Sequence, residues 1–313
     1  MAGSTKDVVV HDAIVLTVDE DNRLFERGTV IVEDGRIVEV RPSAEGDDDI
    51  AAERVIDGDG LVAMPGLVNA HTHLEMTPLI GAFSEMGFRD LVANMTVLVD
   101  KLDDDELAYF RRAGYELAAL NFLRGGVTTV NSMDTLPGQG AEVFGEAGLR
   151  GFFGPTMTDL YWDVPIDDQI DRFREFVDEY HDTYDGRIRA TICPHDDWSC
   201  SREFWERTAD LAAEYPDLVV HTHLLELDES NKMARSNGAA DSIGLLEEVG
   251  LLDERLVAAH FRVADDEDVR RTADANAAVA HCPSIFAYWN PDPDMQWTPV
   301  PELRDAVVDV GLG

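Results

Sequence analysis

A (β/α)8 barrel of the TIM type, preceded by a small β unit, is the fold class this sequence predicts, and three observations carry it. Eight short apolar runs recur between residues 63 and 313, separated by stretches of helical periodicity. This is the pattern of parallel strands joined by crossover helices. The first 62 residues lack that rhythm and alternate apolar with polar residues, as half-buried strands do. Seven of the nine histidines fall at or just after the C-terminal ends of the later runs, the face on which such barrels build their sites.

Taken in order, residues 1–62 contain DVVVHDAIVLTV, GTVIVEDGRIVEV and RVIDGDGLVAM. Their alternation and the tight Asp34-Gly35 turn predict a small antiparallel β unit, the amino-terminal part of a β-sandwich. After Pro65 the rhythm changes. Barrel strands are expected at GLVNAH (66–71), VTTVN (127–131), LRGFFG (149–154), RIRATIC (187–193), LVVHTH (218–223), LVAAH (256–260), AAVAH (277–281) and AVVDVGLG (306–313). Between them lie helices such as DDELAYFRRAGYELAALNFLRGG, with apolar spacing of three and four and a glycine stop. The chain is therefore expected to divide into a β unit at 1–62 and a barrel at 63–313.

Composition narrows the setting. The sequence has 63 acidic and 25 basic residues, a formal net charge of −38, and only three lysines, Lys6, Lys101 and Lys232. Acidic clusters such as Asp47-Asp48-Asp49, Asp103-Asp104-Asp105-Glu106 and Asp265-Asp266-Glu267-Asp268 read as loops and first helical turns, where acids suit the helix dipole. Such self-repulsion is tolerable where salt screens it, so the chain reads as halophilic; an acidic face for a basic partner is the other reading. With no basic stripe, nucleic acid is not expected as a partner. No apolar run approaches the roughly 18 residues of a membrane span. The start lacks a signal-peptide layout. Cys193, Cys200 and Cys282 are odd in number and form no CxxC pair, as expected of buried thiols in a reducing compartment. A cytoplasmic location follows, and a homo-oligomer is compatible with it.

PGLVNAHTHLEM sets His71 and His73 at the end of a strand, where residues i and i+2 point the same way and both imidazoles can converge on one metal ion. HTHLLE adds His221, His223 and, three residues on, Glu226. A histidine can hold a metal while a nearby glutamate moves protons. Spacing alone does not separate that role from a solvated acid in the acidic stretch LLELDES. Glu75 reads as a plain loop residue, and His11 and His181 as surface residues. A lone strand-end histidine is usually structural, but seven on one rim reverse that expectation: His71, His73, His195, His221, His223, His260 and His281.

PGLVNAHTHLEM, HTHLLE, AAHFRVADDE and AHCPS, in that order and spacing, resemble the amidohydrolase superfamily. Within it they are most similar to the branch of cytosine deaminase-like, chlorohydrolase-like and adenosine or S-adenosylhomocysteine deaminase-like enzymes. HxH alone is weak, but the ordered set covers essentially the whole chain. The resemblance implies a metal-dependent hydrolase acting on non-peptide C–N bonds. Its reaction would be hydrolytic deamination, or dechlorination, of a nitrogen heterocycle such as an aminated purine, pyrimidine or triazine. It implies one divalent metal, zinc or else iron, held by His71, His73 and His223. Glu226 would be the proton-shuttling acid, and His260 the histidine that orients or polarises the attacking water. His195 matches a substrate-contacting histidine, and Trp198 and His281 join it as expected substrate-binding residues. His221 and His281 equally suit groups behind the ligands or plain packing.

The family also has an aspartate at the end of strand 8, in a Gly-Leu-Gly-Thr-Asp-like stretch. Here LRDAVVDVGLG reaches Gly313 one or two residues short of it, and Asp305 and Asp309 lie too early to substitute. The expectation is an amino-terminal fragment, or one half of a split enzyme that needs a separate carboxy-terminal piece. Three histidines and a water remain a sufficient zinc set. Asp196-Asp197-Trp198 and the run Ser284–Trp289 depart from the family pattern where a pocket wall is expected, with altered loop packing as the equal alternative.

Overall fold

The computed structural model describes residues 5–82, 94, 97, 101–285 and 296–313. These fall into two compact units, one up to Gly66 and one from Leu67 to Gly313. Among the described residues no helix is long and apolar enough to cross a membrane.

The first unit is a single sheet of β1 (Lys6–Leu16), β2 (Leu24–Glu33), β3 (Arg36–Pro42), β4 (Ala52–Asp57) and β5 (Val62–Ala63), in the order β3-β2-β1-β4 with β5 also on β1. The Asp34-Gly35 turn closes β2 on β3 with φ of 51° and 68°, the doubly positive pair that suits right-twisted strands. The antiparallel expectation holds for β1–β2–β3 only. β4 and β5 run parallel to β1, because the 43–51 connection carries the chain back before it pairs again. His11 is a second correction. It lies inside, 8% exposed, because the two-residue period of β1 turns Val9, His11 and Ala13 to the same face. His181 is half-buried, its Nδ1 accepting the Ala190 N–H at 3.1 Å.

The second unit carries β6 (Leu67–Thr72), β7 (Val127–Asp134), β8 (Arg150–Met157), β9 (Ile188–Ala190), β10 (Cys193–Pro194), β11 (Val220–Leu224), β12 (Leu256–His260), β13 (Ala278–His281) and β14 (Val310–Leu312). All ladders among them are parallel. The fourth predicted strand is split: Thr191 N–H still bonds Phe153 of β8, and the next residue, Ile192, already bonds Val219 at the foot of β11. That change of partner joins the two parallel sheets through the Ile192–Val220 and Asp196–His223 bridges. At the other seam Gly311 lies against Ala70 of β6, and Gly313 against His71 and Cys282. Eight strand positions in chain order, returning from β14 to β6, give the predicted barrel.

Helices among the described residues include α1 (Asp104–Gly125), α2 (Gly138–Glu146), α3 (Ile166–Tyr180), α4 (Arg202–Glu214), α5 (Ser230–Ser236), α6 (Ser242–Val249), α7 (Asp266–Asp274) and α8 (Val300–Asp305). The predicted α1 starts on a capping box between Asp103 and Glu106 and stops at Gly126, φ 78°. Phe144, Phe153, Phe173, Phe204, Trp205 and Ile192 fill the layer between helices and strands with almost no exposure. Each such side chain stabilises the fold by about 1.5–3 kcal/mol, and this rigid layer aims the strand ends.

Candidate metal centre and active site

β6 delivers His71 and His73, β11 delivers His221 and His223, and β12 ends on His260. Ring centroids lie 5.0 Å apart for His71–His73, 4.8 Å for His71–His223, 5.2 Å for His73–His223 and 5.2 Å for His223–His260. One donor atom from each of His71, His73 and His223 falls within a 4.8 Å group. The resemblance had implied the same three as ligands.

Their tautomers are set by the backbone. His73 Nδ1 lies 2.6 Å from the Met133 carbonyl and His223 Nδ1 lies 2.6 Å from the His195 carbonyl. A carbonyl only accepts, so both Nδ1 atoms carry the proton and both Nε2 atoms carry the lone pair. Those two Nε2 atoms face each other at 3.1 Å. Two lone pairs so placed repel one another. Two imidazoles on a tetrahedral zinc, with bonds of ~2.05 Å, stand ~3.3 Å apart. The third ring fits in the same way: His71 Nδ1 bonds His221 Nε2 at 2.8 Å, which leaves Nε2 of His71 for the centre. His221 thus stands behind His71, with its own Nδ1 buried and lacking a partner among the described residues. The donor set suits a divalent ion that accepts imidazole nitrogen.

Electrostatics agree. Burial first, then repulsion from neighbouring rings, holds His71 and His223 well below the usual histidine range. Burial lowers His73 to about 4 and His221 and His260 to about 3. Neutral rings keep the lone pairs a metal needs.

Glu226 sits beside this cluster, 3% exposed, with Oε1 3.6 Å from His260 Nε2. Burial, then the nearby Asp196 and Asp197, raise its carboxyl to about 8. It is a protonated acid at neutral pH rather than a solvated loop carboxylate. The backbone turns sharply around it: Leu225 (φ 51°), His260 (φ 73°) and Phe261 (φ 51°) all occupy the left-handed region, which non-glycine residues enter at a cost. Asp197 holds the first of these turns, accepting from Leu225 N at 2.9 Å and Ser230 Oγ at 2.8 Å.

Glu75 is a correction. It is 6% exposed, paired with Arg111 at 3.1 Å and bonded by Thr135 Oγ1. Spacing gave no sign of this, because Arg111 comes from α1 and Thr135 from the end of β7. That same end clamps the HTH segment: Ser132 Oγ lies 3.2 Å from the Thr72 carbonyl and 3.4 Å from Leu74 N, and Asp134 accepts from Glu75 N at 3.2 Å. Cys282, buried, has its sulfur grouped with His71 and His260. Ser132, Asp134 and Cys282 carry no recognisable spacing, although Cys282 lies inside AHCPS.

Of the expected substrate residues, His195 has a ring 4.8 Å from that of His223 and 24% of its side chain exposed. Trp198 stands edge-on to Tyr161 at 5.2 Å, and Tyr161 edge-on to His195 at 5.7 Å. His281 ends β13 with its Nδ1 buried and without a partner among the described residues. Ser284 and Ile285 are described, but Phe286–Trp289 of the expected pocket wall lie outside the described residues.

The site can be compared with known proteins. The chain is 32% identical to a 5'-deoxyadenosine deaminase of Methanothermobacter thermautotrophicus, over 97% of this chain and 69% of that one. It is 30% identical to a 5-methylthioadenosine/S-adenosylhomocysteine deaminase of Halothermothrix orenii, over 96% of this chain and 67% of that one. Among solved structures, a zinc-bound adenosine deaminase from Xanthomonas campestris superposes with a TM-score of 0.88 at 26% identity, covering 99% of this chain and 69% of that one. A zinc complex of atrazine chlorohydrolase from Arthrobacter aurescens shares the fold, with a TM-score of 0.82 at 24% identity over 98% and 71% of the two chains. The amidohydrolase family model matches residues 62–295. A three-histidine centre on a parallel barrel, and a family match across three quarters of the sequence, lead to one conclusion: the chain belongs to the amidohydrolase family.

Proposed function

We propose that this protein is a metal-dependent hydrolase that removes an amino group, or a chlorine, from a nitrogen heterocycle, with adenosine-like purines as the first candidates. The observation that carries this reading is the pairing of a convergent three-histidine donor set with a buried, protonated Glu226. The deaminases among its relatives support the substrate class. His71, His73 and His223 would hold zinc, which when bound supplies a water acidified towards a pKa of about 7.

The remaining steps belong to the chain's own residues. Glu226 holds its proton in a site that burial keeps dry, and donates it to a ring nitrogen as water attacks the adjacent carbon. It then takes up one proton of the attacking water and passes it to the departing amine, and the remaining hydroxyl proton returns to Glu226 as the carbonyl forms. His260, within 3.6 Å of Glu226, orients that water. His195, Trp198 and His281 form the substrate wall. The carboxylate surplus supports adaptation to high salt, and the three buried free thiols support a reducing, cytoplasmic setting.

The test is ammonia or chloride release from a panel of aminated purines, pyrimidines and triazines and chlorinated triazines, using zinc-loaded protein. Glu226→Gln should lower turnover about 10²–10⁴-fold with zinc retained. Unchanged turnover in that variant would overturn the reading.

A further inference from the structure

Asp196 follows the candidate substrate histidine and is fully buried. Its two oxygens face different partners. Oδ1 accepts from the backbone N–H of Trp198 at 2.8 Å and from that of Ser199. Oδ2 faces His195 Nδ1, and Ser199 Oγ lies 3.3 Å from the same nitrogen. The His195 backbone is independently anchored, because its carbonyl takes both the N–H and the Nδ1–H of His223. Among the described residues the ring is hydrogen-bonded through its Nδ1 edge, with Tyr161 and Trp198 packed around it, and Nε2 is the nitrogen left for a ligand.

We propose that Asp196 is a positioning residue that fixes the proton of His195 on Nδ1 and so aims the Nε2 edge at the substrate. A carboxylate can only accept, so the proton of the Asp196–His195 contact sits on the ring. The inference rests on the hydrolase reading for its functional meaning, but the proton's place on the ring can be read without turnover.

Asparagine is the discriminating substitution because the two sides of this carboxylate are not interchangeable. Two backbone N–H groups can only donate, so the amide introduced by Asp196→Asn must turn its oxygen to them. Its NH2 then points at Nδ1 of His195 and donates, driving the ring proton to Nε2. The turn keeps both backbone bonds, so the fold survives the change.

The experiment has two arms on zinc-loaded protein. In the first, 15N-histidine NMR reads the tautomer of His195, assigned by loss of its signals in His195→Ala. We expect Nδ1 protonated in the wild type and unprotonated in Asp196→Asn. A wild-type proton on Nε2 alone, or one pattern in both proteins, overturns the proposal, whether or not any heterocycle is turned over. In the second, Asp196→Asn should lower kcat/KM about 10- to 100-fold with zinc content unchanged, and add nothing in a His195→Ala background. An equal loss in that background, or loss of zinc, would assign Asp196 to the turn or to His223 and overturn the proposal. Absence of turnover in the wild type would remove the hydrolase reading and leave the first arm to decide this one.

Discussion

Carboxylates on the outer helices and several of those at the strand-end rim are shifted in opposite directions. On the helices, Asp103 and Asp265 cap α1 and α7, Arg174 bridges Asp171 and Glu214, and Arg270 bridges Glu267 and Asp274. Arg271 and Arg270 draw Glu247 and Glu267 below the usual carboxylate range. At the rim, burial drives Glu226 to about 8 and Asp197 to about 6, and raises Asp134 as well. The difference is solvent. An exposed acid keeps its hydration and gains an arginine, whereas a buried one loses water and holds its proton unless a cation or several donors compensate. One residue type thus stays ionised beside arginines outside and can keep its proton inside.

The comparison breaks first at the metal. His73→Ala or His223→Ala should reduce zinc, measured by elemental mass spectrometry, from about one per chain to near none. Retained zinc in either variant would remove the rim from the ligand role. The next largest effect tests Glu226 without a metal. The folded protein keeps Glu226 protonated up to about 8, against 4.5 ordinarily. The fold therefore binds a proton that the unfolded chain has released, and its stability falls as pH rises from 5 towards 8. Denaturant titrations of metal-free wild type and Glu226→Gln should diverge by up to about 1.4 kcal/mol per pH unit across that range. Parallel pH profiles would mean that Glu226 is ionised in the fold.

A smaller effect is expected at the clamp. Ser132→Ala removes the hydroxyl between the Thr72 carbonyl, Leu74 N and Asp134, and should weaken zinc binding about 10-fold in a competition titration with a chelator. An unchanged affinity would show that Met133's carbonyl alone sets His73. The smallest effect belongs to the outer surface. Arg174→Ala, at a 40% exposed side chain, should cost less than about 1 kcal/mol, and nothing at high salt. A larger cost would blur the contrast between the two regions.

Much of this was legible in the residues. β12 occupies the predicted Leu256–His260, and the other barrel strands overlap their predicted runs, because buried parallel strands are continuous apolar segments punctuated by turns. The histidine spacing pointed to His71 and His73, since alternate residues of a strand share a face, and His223 came from the family resemblance. What stayed hidden depends on partners distant in the chain. His221 stood open between a group behind other histidines and plain packing until β11 set its Nε2 against His71 Nδ1. Glu75 looked like loop until α1 brought Arg111 to it. His11 looked exposed until the parity of β1 placed it inside.

The sequence by itself determined the barrel, the ordered histidine motifs and the acidic exterior, because period, spacing and composition are local properties that survive without knowledge of the fold. Only the tertiary structure decided which ring nitrogens carry protons, which acids are neutral and which residues stand behind the converging histidines. Those depend on burial and on the carbonyl or carboxylate across a strand gap, and no single stretch of chain contains both partners.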